Sequence, residues 1–229
     1  MTNITLLHLS DIHAQNNLNL EPISALIERE SIELIVISGD ITQFGTKDDV
    51  QRILALFNQL SAVVFYVTGN LDPPNSFTFT SKNVKPLEGQ LEEFKGVQFV
   101  GLSGSNKTPF RTPYELTEEE IQMKLQHLKT LLDTSKPFIL VSHVPPFNSG
   151  ADTVRLGKPV GSSSVRDFVL KEAPLAICTG HIHESKVITT LGKSLVINPG
   201  PARHQQAALL KIHDSATNDF SIDAKLLKF

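Results

Sequence analysis

The stretch that decides the fold is Ile4-Thr5-Leu6-Leu7-His8-Leu9-Ser10-Asp11-Ile12-His13. Ile4 to Leu9 reads as a strand, and it runs directly into a carboxylate and an imidazole two residues apart. The same order recurs along the chain. Leu34-Ile35-Val36-Ile37 is a nearly continuous apolar run, as expected of a strand covered on both faces, and Gly39-Asp40 follows it. Val63 to Val67 leads to Gly69-Asn70-Leu71-Asp72, Phe138 to Val141 leads to His143, and Leu175 to Cys178 leads to Gly180-His181-Ile182-His183.

Helix-period segments lie between these runs, which is the pattern of an α/β protein. Glu21 to Glu30 opens with an acid and Pro22, and Thr46 with Asp49 caps a segment carrying Val50, Ile53, Leu54 and Phe57 at helical spacing. Thr117-Glu118-Glu119-Glu120 starts a helix to about Leu132, and Ser162 to Glu172 forms another. Residues 86 to 104 break into short β pieces. From Lys186 onward, Val187–Thr190, Leu195–Ile197, Ala207–Ile212 and Phe220–Leu226 read as antiparallel strands, with a hairpin turn at Leu191-Gly192-Lys193. The expectation is one domain over residues 1–229. In open α/β sheets ligands bind beyond the carboxyl ends of the strands, so parallel strands would gather the five loops at one edge of the sheet.

Composition narrows the classes further. Hydrophobic residues at 40% and charged residues at 20% exclude a disordered chain, and a single cysteine, Cys178, excludes an intrachain disulfide. A net charge of -3 gives no reason to expect specific nucleic-acid binding or attraction to a membrane surface. No run reaches a membrane-spanning length, and the first residues lack a secretory pattern, so the expected compartment is cytoplasmic.

The residues after the strands share one chemistry. Asp11 and Asp40 offer anionic oxygen, Asn70 a neutral carbonyl oxygen, and His13, His143, His181 and His183 imidazole nitrogen. In Asp11-x-His13 and His181-x-His183, a two-residue step puts both side chains on one side of an extended segment. Gly39, Gly69 and Gly180 remove bulk just before a candidate ligand. Singly, each motif reads more simply as turn chemistry or as a satisfied polar residue. Together, the seven donors exceed a four-ligand structural zinc site and fit two metals. His8, on the opposite strand face from Leu7 and Leu9, reads as structural or as supporting the ligands. His127 and His213 read as surface residues, and Cys178 as a small hydrophobe.

Asp11-x-His13, Gly39-Asp40, Gly69-Asn70-x-Asp72, His143 and Gly180-His181-x-His183, in this order, resemble the calcineurin-like metallophosphoesterase superfamily, and in particular its small single-domain prokaryotic-type members. The resemblance implies a four-layer α/β/β/α sandwich of two mixed sheets flanked by helices. It implies one divalent metal on Asp11, His13, Asp40 and His183, and a second on Asp40, Asn70, His143 and His181, with Asp40 bridging. Manganese, iron, nickel and zinc all suit the donors. It implies in-line hydrolysis of a small phosphoester by a hydroxide that bridges two ions about 3.5–4 Å apart, with Asp40, Asn70 and His143 also counted as catalytic.

One position departs from the pattern. The superfamily's third motif carries His after Gly-Asn; here it is Leu71, which neither donates a proton nor carries charge. General-acid help is worth about 10²–10⁴-fold, so a substitute or a preference for better leaving groups is expected. Arg203 and His204, just past Asn198-Pro199-Gly200, are candidates; Arg155, in the polar Gly150–Ser164 segment, meets phosphate if that segment is a substrate-covering loop and not a plain surface loop; Asp72 is assigned a hydrogen bond behind the ligands. The reading is a phosphodiesterase. Its rivals are a non-catalytic scaffold of the same fold, as in a retromer subunit, and a phosphomonoesterase or nucleotide pyrophosphatase. Exposed edge strands allow a homo-oligomer without requiring one.

Overall fold

The computed structural model describes residues 3–15, 17–214 and 220–229. The elements in chain order are β1 (Asn3–Leu9), α1 (Glu21–Glu30), β2 (Leu34–Ser38), α2 (Lys47–Leu56), β3 (Val63–Val67), β4 (Val84–Pro86), β5 (Leu91–Phe94), β6 (Val97–Leu102), β7 (Ser105–Asn106) and β8 (Glu115–Leu116). There follow α3 (Glu118–Leu131), β9 (Phe138–Ser142), α4 (Ser163–Glu172), β10 (Ala176–Cys178), β11 (Val187–Leu191), β12 (Ser194–Asn198), β13 (Gln206–Asp214) and β14 (Phe220–Lys228).

Local chemistry explains the helix starts. Thr46 accepts the Asp49 N–H while Asp49 reaches back to the Thr46 N–H, and Thr117 with Glu120 repeats this reciprocal cap. Ser162 accepts the Val165 N–H at the head of α4. At the other end, Ser31 and Ala173 close α1 and α4 in left-handed conformations.

The strands form two six-stranded sheets, in the orders β14-β13-β1-β2-β3-β4 and β11-β12-β10-β9-β6-β5, plus a two-stranded pair of β7 and β8. In the first sheet β1, β2, β3 and β4 run parallel, and β13 and β14 extend it antiparallel. In the second, β6, β9, β10 and β12 run parallel, with β5 and β11 antiparallel at the edges. Two expectations need correction. β12 is antiparallel to β11 through the Gly192-Lys193 turn, yet parallel to β10, so the late region is not purely antiparallel. The five candidate loops also rise from two sheets rather than one, because each face of each sheet demands its own apolar cover.

That demand is legible in the alternation along each strand. Leu7, Leu9, Ile35, Ile37, Val64 and Tyr66 face α1 and α2, where Ile23, Leu26, Val50 and Ile53, with Phe57 just past α2, meet them. Their neighbours Leu6, Leu34, Val36, Phe65 and Val67 face the other sheet, against Phe99, Ile139, Val141, Cys178 and Ile197. The outer face of the second sheet, with Val100, Leu102, Leu140, Ile177 and Val196, packs on Ile121, Leu125, Leu128, Val165 and Phe168 of α3 and α4. The layers are therefore helices, sheet, sheet, helices. This is the four-layer α/β/β/α sandwich expected from the resemblance.

The seam between the sheets is tight. Phe65 and Phe99 meet edge-to-face across it with centroids 5.3 Å apart. A Cβ on Gly101 of β6 would lie 2.5 Å from side-chain carbons of both Leu87 and Val67. Gly101→Ala should therefore lower stability by about 1–3 kcal/mol through overpacking. A urea midpoint equal to that of the wild type would show that the seam can open.

Candidate metal centre

β1, β2 and β3 end at the same edge of the first sheet, and β9 and β10 end at the matching edge of the second. Backbone bonds draw the following segments together: Asp11 N–H to Gly39 O at 3.1 Å, His13 N–H to Asp40 O at 2.9 Å, and Gly180 N–H to His143 O at 3.2 Å. Asp11, His13, Asp40 and His181 all have positive φ, between 46° and 67°. Four non-glycine residues in the left-handed region at one place is strained backbone, and such strain clusters at functional sites. It also corrects the expected geometry. Asp11 with His13 converge through left-handed turns, not by sitting on one side of an extended segment.

Side chains follow. His183 Nε2 lies 3.2 Å from Asp11 Oδ1 and 3.2 Å from His13 Nε2. His13 Nε2 lies 3.7 Å from Asp11 Oδ1 and 3.9 Å from Asp40 Oδ2. On the other side, His143 Nε2 lies 3.5 Å from Asp40 Oδ2 and 3.0 Å from Asn70 Oδ1. The His181 ring meets the His143 ring edge-on at 5.0 Å, and the His181 backbone N–H donates to Asp11 Oδ2. Among the described residues, Asp11 with His13 and His183, and Asp11 with Asp40 and His143, form two overlapping groups whose donor atoms all lie within 4.8 Å of one another.

These groups suit divalent cations. His143 Nδ1 donates to the Ser38 carbonyl at 2.8 Å, which turns Nε2 inward, where a bound cation would take the place of its proton. Asp40 Oδ1 accepts the Leu71 N–H at 2.8 Å, so Oδ2 is the oxygen left to face both His13 and His143. Two imidazole nitrogens 3.2 Å apart, His13 Nε2 and His183 Nε2, need a proton or a cation between them. Glycines leave the room: a Cβ on Gly69 would overlap Asp40 Oδ1, and one on Gly180 would lie 2.6 Å from Asp11 Oδ2.

Electrostatics agree. Asp11, Asp40 and His143 are buried, and an unpaired buried charge is expensive. Burial pushes the Asp40 carboxyl up, but His143 outweighs it and holds Asp40 below the usual range. Asp11 is likewise held low against burial, chiefly by its bond to His183 and by the charge of His143. Burial pulls His143 down, yet Asp40, Asp11 and the Ser38 carbonyl raise it to about 9. The pocket calls for positive charge beside its carboxylates.

Asp72 sits behind. Its two oxygens accept the N–H groups of Ile41, Thr42 and Gly69 and the Thr42 hydroxyl, at 2.8–3.0 Å, and so tie the loop after β2 to the loop after β3. Burial and the Asp40 charge push it up to about 6 against those bonds. Arg203 is exposed; its backbone N–H donates to Asp11 O, and Nη2 lies 3.3 Å from His183 Nδ1. His204 is exposed in a short turn, bonded through its backbone to Pro201. Arg155 is exposed as well, its N–H on Glu184 beside His183. Leu71 is half-buried and offers only its backbone N–H. Ser38, Thr42, Thr112 and Glu115 escaped the sequence reading. Thr112-x-x-Glu115 does carry a capping signature, but nothing local links it to Asn70.

With this geometry in view, the comparisons are direct. The profile of the "Calcineurin-like phosphoesterase" family matches residues 4–185, and the chain belongs to that family. Its metallophosphoesterases work with divalent metals. A Methanocaldococcus jannaschii protein, "Uncharacterized protein MJ1162", is 38% identical over 177 residues, 76% of this chain and 79% of that one. A Vesicomyosocius okutanii protein named "Probable cyclic nucleotide phosphodiesterase" is 24% identical over 212 residues, 87% of each chain. The crystal structure of TT1561 of Thermus thermophilus superposes with a TM-score of 0.72 at 17% identity, over 97% of this chain and 99% of that one; it supports the fold alone. No helix among the described residues is long and apolar enough to cross a membrane.

His8 supports the centre from within β1. It is fully buried, Nε2 lies 2.8 Å from Ser38 Oγ, and burial lowers it to about 3 despite the charge of Asp11. The unfolded chain takes up this proton near pH 6.5, whereas the folded chain resists it until about 3. The contribution is therefore present above about 6.5 and lost as pH falls, at roughly 1.4 kcal/mol per pH unit. Urea unfolding of chelator-treated protein from about pH 7 to about pH 5 should fall less steeply in His8→Gln. Parallel slopes would contradict a neutral buried imidazole.

Proposed function

We propose that this chain is a dimetal phosphodiesterase. The observation that carries the reading is the position of Asp40 Oδ2, 3.9 Å from His13 Nε2 and 3.5 Å from His143 Nε2, between two sets of nitrogen and oxygen donors. One metal would be held by Asp11, His13, Asp40 and His183, and the other by Asp40, Asn70, His143 and His181. Manganese, iron, nickel or zinc would serve. When bound, such a pair supplies an activated water and neutralises charge on the phosphate oxygens.

The chain's own residues do the rest. Ser38 O and Leu71 N fix the orientation of His143 and Asp40, so the donors face inward before substrate arrives. Asp72 keeps the loops after β2 and β3 in register. Arg203, beside His183 and exposed, is placed to receive a phosphate oxygen. Arg155 and His204 stay open to solvent and are weaker candidates for the same task. Leu71 supplies no proton to a departing oxygen, which favours diesters with good leaving groups over monoesters, and relatives named as phosphodiesterases support that preference.

Leu71 is also the observation that favours a non-catalytic scaffold. Metal-loaded protein assayed on a generic aryl diester and the matching monoester separates the readings. Faster diester turnover is expected. Absence of turnover with every divalent metal tried would favour the scaffold, and faster monoester turnover would reverse the substrate assignment. Leu71→His should raise turnover on poor leaving groups more than on good ones; an equal gain on both would remove the missing acid from the account.

Asp40→Ala should abolish turnover and most occupancy of the second metal, because one carboxylate serves both positions. Metal analysis with near-native hydrolysis would contradict the bridge.

A further inference from the structure

Asn70 differs from the other candidate ligands because its amide has two chemically opposite faces. Turning it over replaces a carbonyl oxygen with an NH2 group, which offers protons instead of lone pairs to a cation. Something must choose between them. Asn70 Nδ2 lies 2.9 Å from Thr112 Oγ1. A threonine hydroxyl has one proton, and here it is used: Thr112 Oγ1 donates to Glu115 Oε1 at 2.7 Å. The same carboxylate oxygen accepts the Thr112 N–H at 2.8 Å and the Thr108 hydroxyl at 2.5 Å. Burial raises the Glu115 carboxyl, but these bonds outweigh it and bring it down to about 2, so at neutral pH it only accepts.

With its proton committed, the Thr112 hydroxyl has only lone pairs left for Asn70 and must face the NH2 group. Oδ1 is then turned the other way, to 3.0 Å from His143 Nε2. The backbone fixes the distance, since Tyr114 N–H donates to Asn70 O at 3.0 Å and brings the segment before β8 to the loop after β3.

We propose that Thr112 and Glu115 are positioning residues, a hydrogen-bond relay of fixed polarity that keeps the Asn70 amide oxygen turned toward the cation shared with His143. The relay rests on Asn70 being a metal ligand. Neither residue touches cation or substrate; they act by deciding which atom of Asn70 does. Thr112→Val keeps the shape of the side chain and removes the hydroxyl, whereas Thr112→Ser keeps the hydroxyl. Glu115→Leu is the sharper change. It keeps the bulk of the side chain and removes the acceptor, which frees the Thr112 hydroxyl proton for Asn70 Oδ1 and lets the amide invert.

Calorimetric titration of Mn²⁺ into metal-stripped protein tests this without turnover. Wild type should take up two ions. Thr112→Val and Glu115→Leu should weaken the second by roughly 10–100-fold and spare the first, as expected for partners that orient a ligand. Thr112→Ser should stay near wild type. The ¹⁵N-linked resonances of the Asn70 side chain should shift in Glu115→Leu before metal is added. Unchanged second-site affinity in both weakening variants overturns the relay. Equal weakening of both sites in Thr112→Val and Thr112→Ser also overturns it, because that signals general loop damage. If Thr112→Val does not fold, the comparison of Glu115→Leu with wild type decides. Failure of the underlying ligand assignment is read separately, from a wild-type curve that saturates below two ions.

Discussion

Two carboxylates, Asp11 and Asp40, are buried where the two sheets meet, and the surrounding structure answers that constraint. A carboxylate removed from water is costly unless partners or a cation compensate it. The compensation comes from both layers. The first sheet supplies oxygen through Asp11, Asp40 and Asn70, with one imidazole, His13. The second supplies imidazoles only, His143, His181 and His183. Neither sheet carries a full complement of donors by itself. The proposed centre is therefore also a tie across the seam, at the end where the inter-sheet apolar layer of Phe65, Phe99, Val141 and Ile197 gives way to polar side chains.

That tie explains why strained backbone is tolerated. Left-handed conformations outside glycine cost of order 1–3 kcal/mol when nothing else holds them. Here Asp11 and Asp40 are pinned by backbone bonds between the segments after β1 and β2, and Asp72 gathers three further N–H groups. The strain turns donors that would alternate along a strand toward a common point. The rigid strands before them set where that point lies, and the left-handed turns set which way each side chain looks.

Much of this was legible in the sequence, because the signals are local. Strand ends followed by Asp, Asn or His, the caps at Thr46 and Thr117, and the both-face apolar run at Leu34–Ile37 each need only neighbouring residues to be read. What escaped depends on distance in sequence. The parallel pairing of β12 with β10 reflects what each strand must cover, not its own pattern. The extended reading of Asp11-x-His13 failed because residue spacing carries no φ angle. Ser38 acts through a carbonyl, which no side-chain pattern reports, and Thr112 lies 42 residues from Asn70.

Leu71 gains meaning from the same frame. Its side chain contributes no charge and no proton, yet its N–H holds Asp40 Oδ1 and so determines which oxygen of that carboxylate faces the imidazoles. A residue at this position thus has two separable tasks, one in the backbone and one in the side chain. The backbone task is kept by any residue that preserves the turn, whereas the side-chain task can be lost without disturbing the donors. On the proposed function, the absence of an acid here would leave the candidate metal-binding arrangement intact and change which leaving groups can depart, since a better leaving group carries its own negative charge away. On that proposal, a preference for such esters would follow from one missing imidazole beside the proposed ligands.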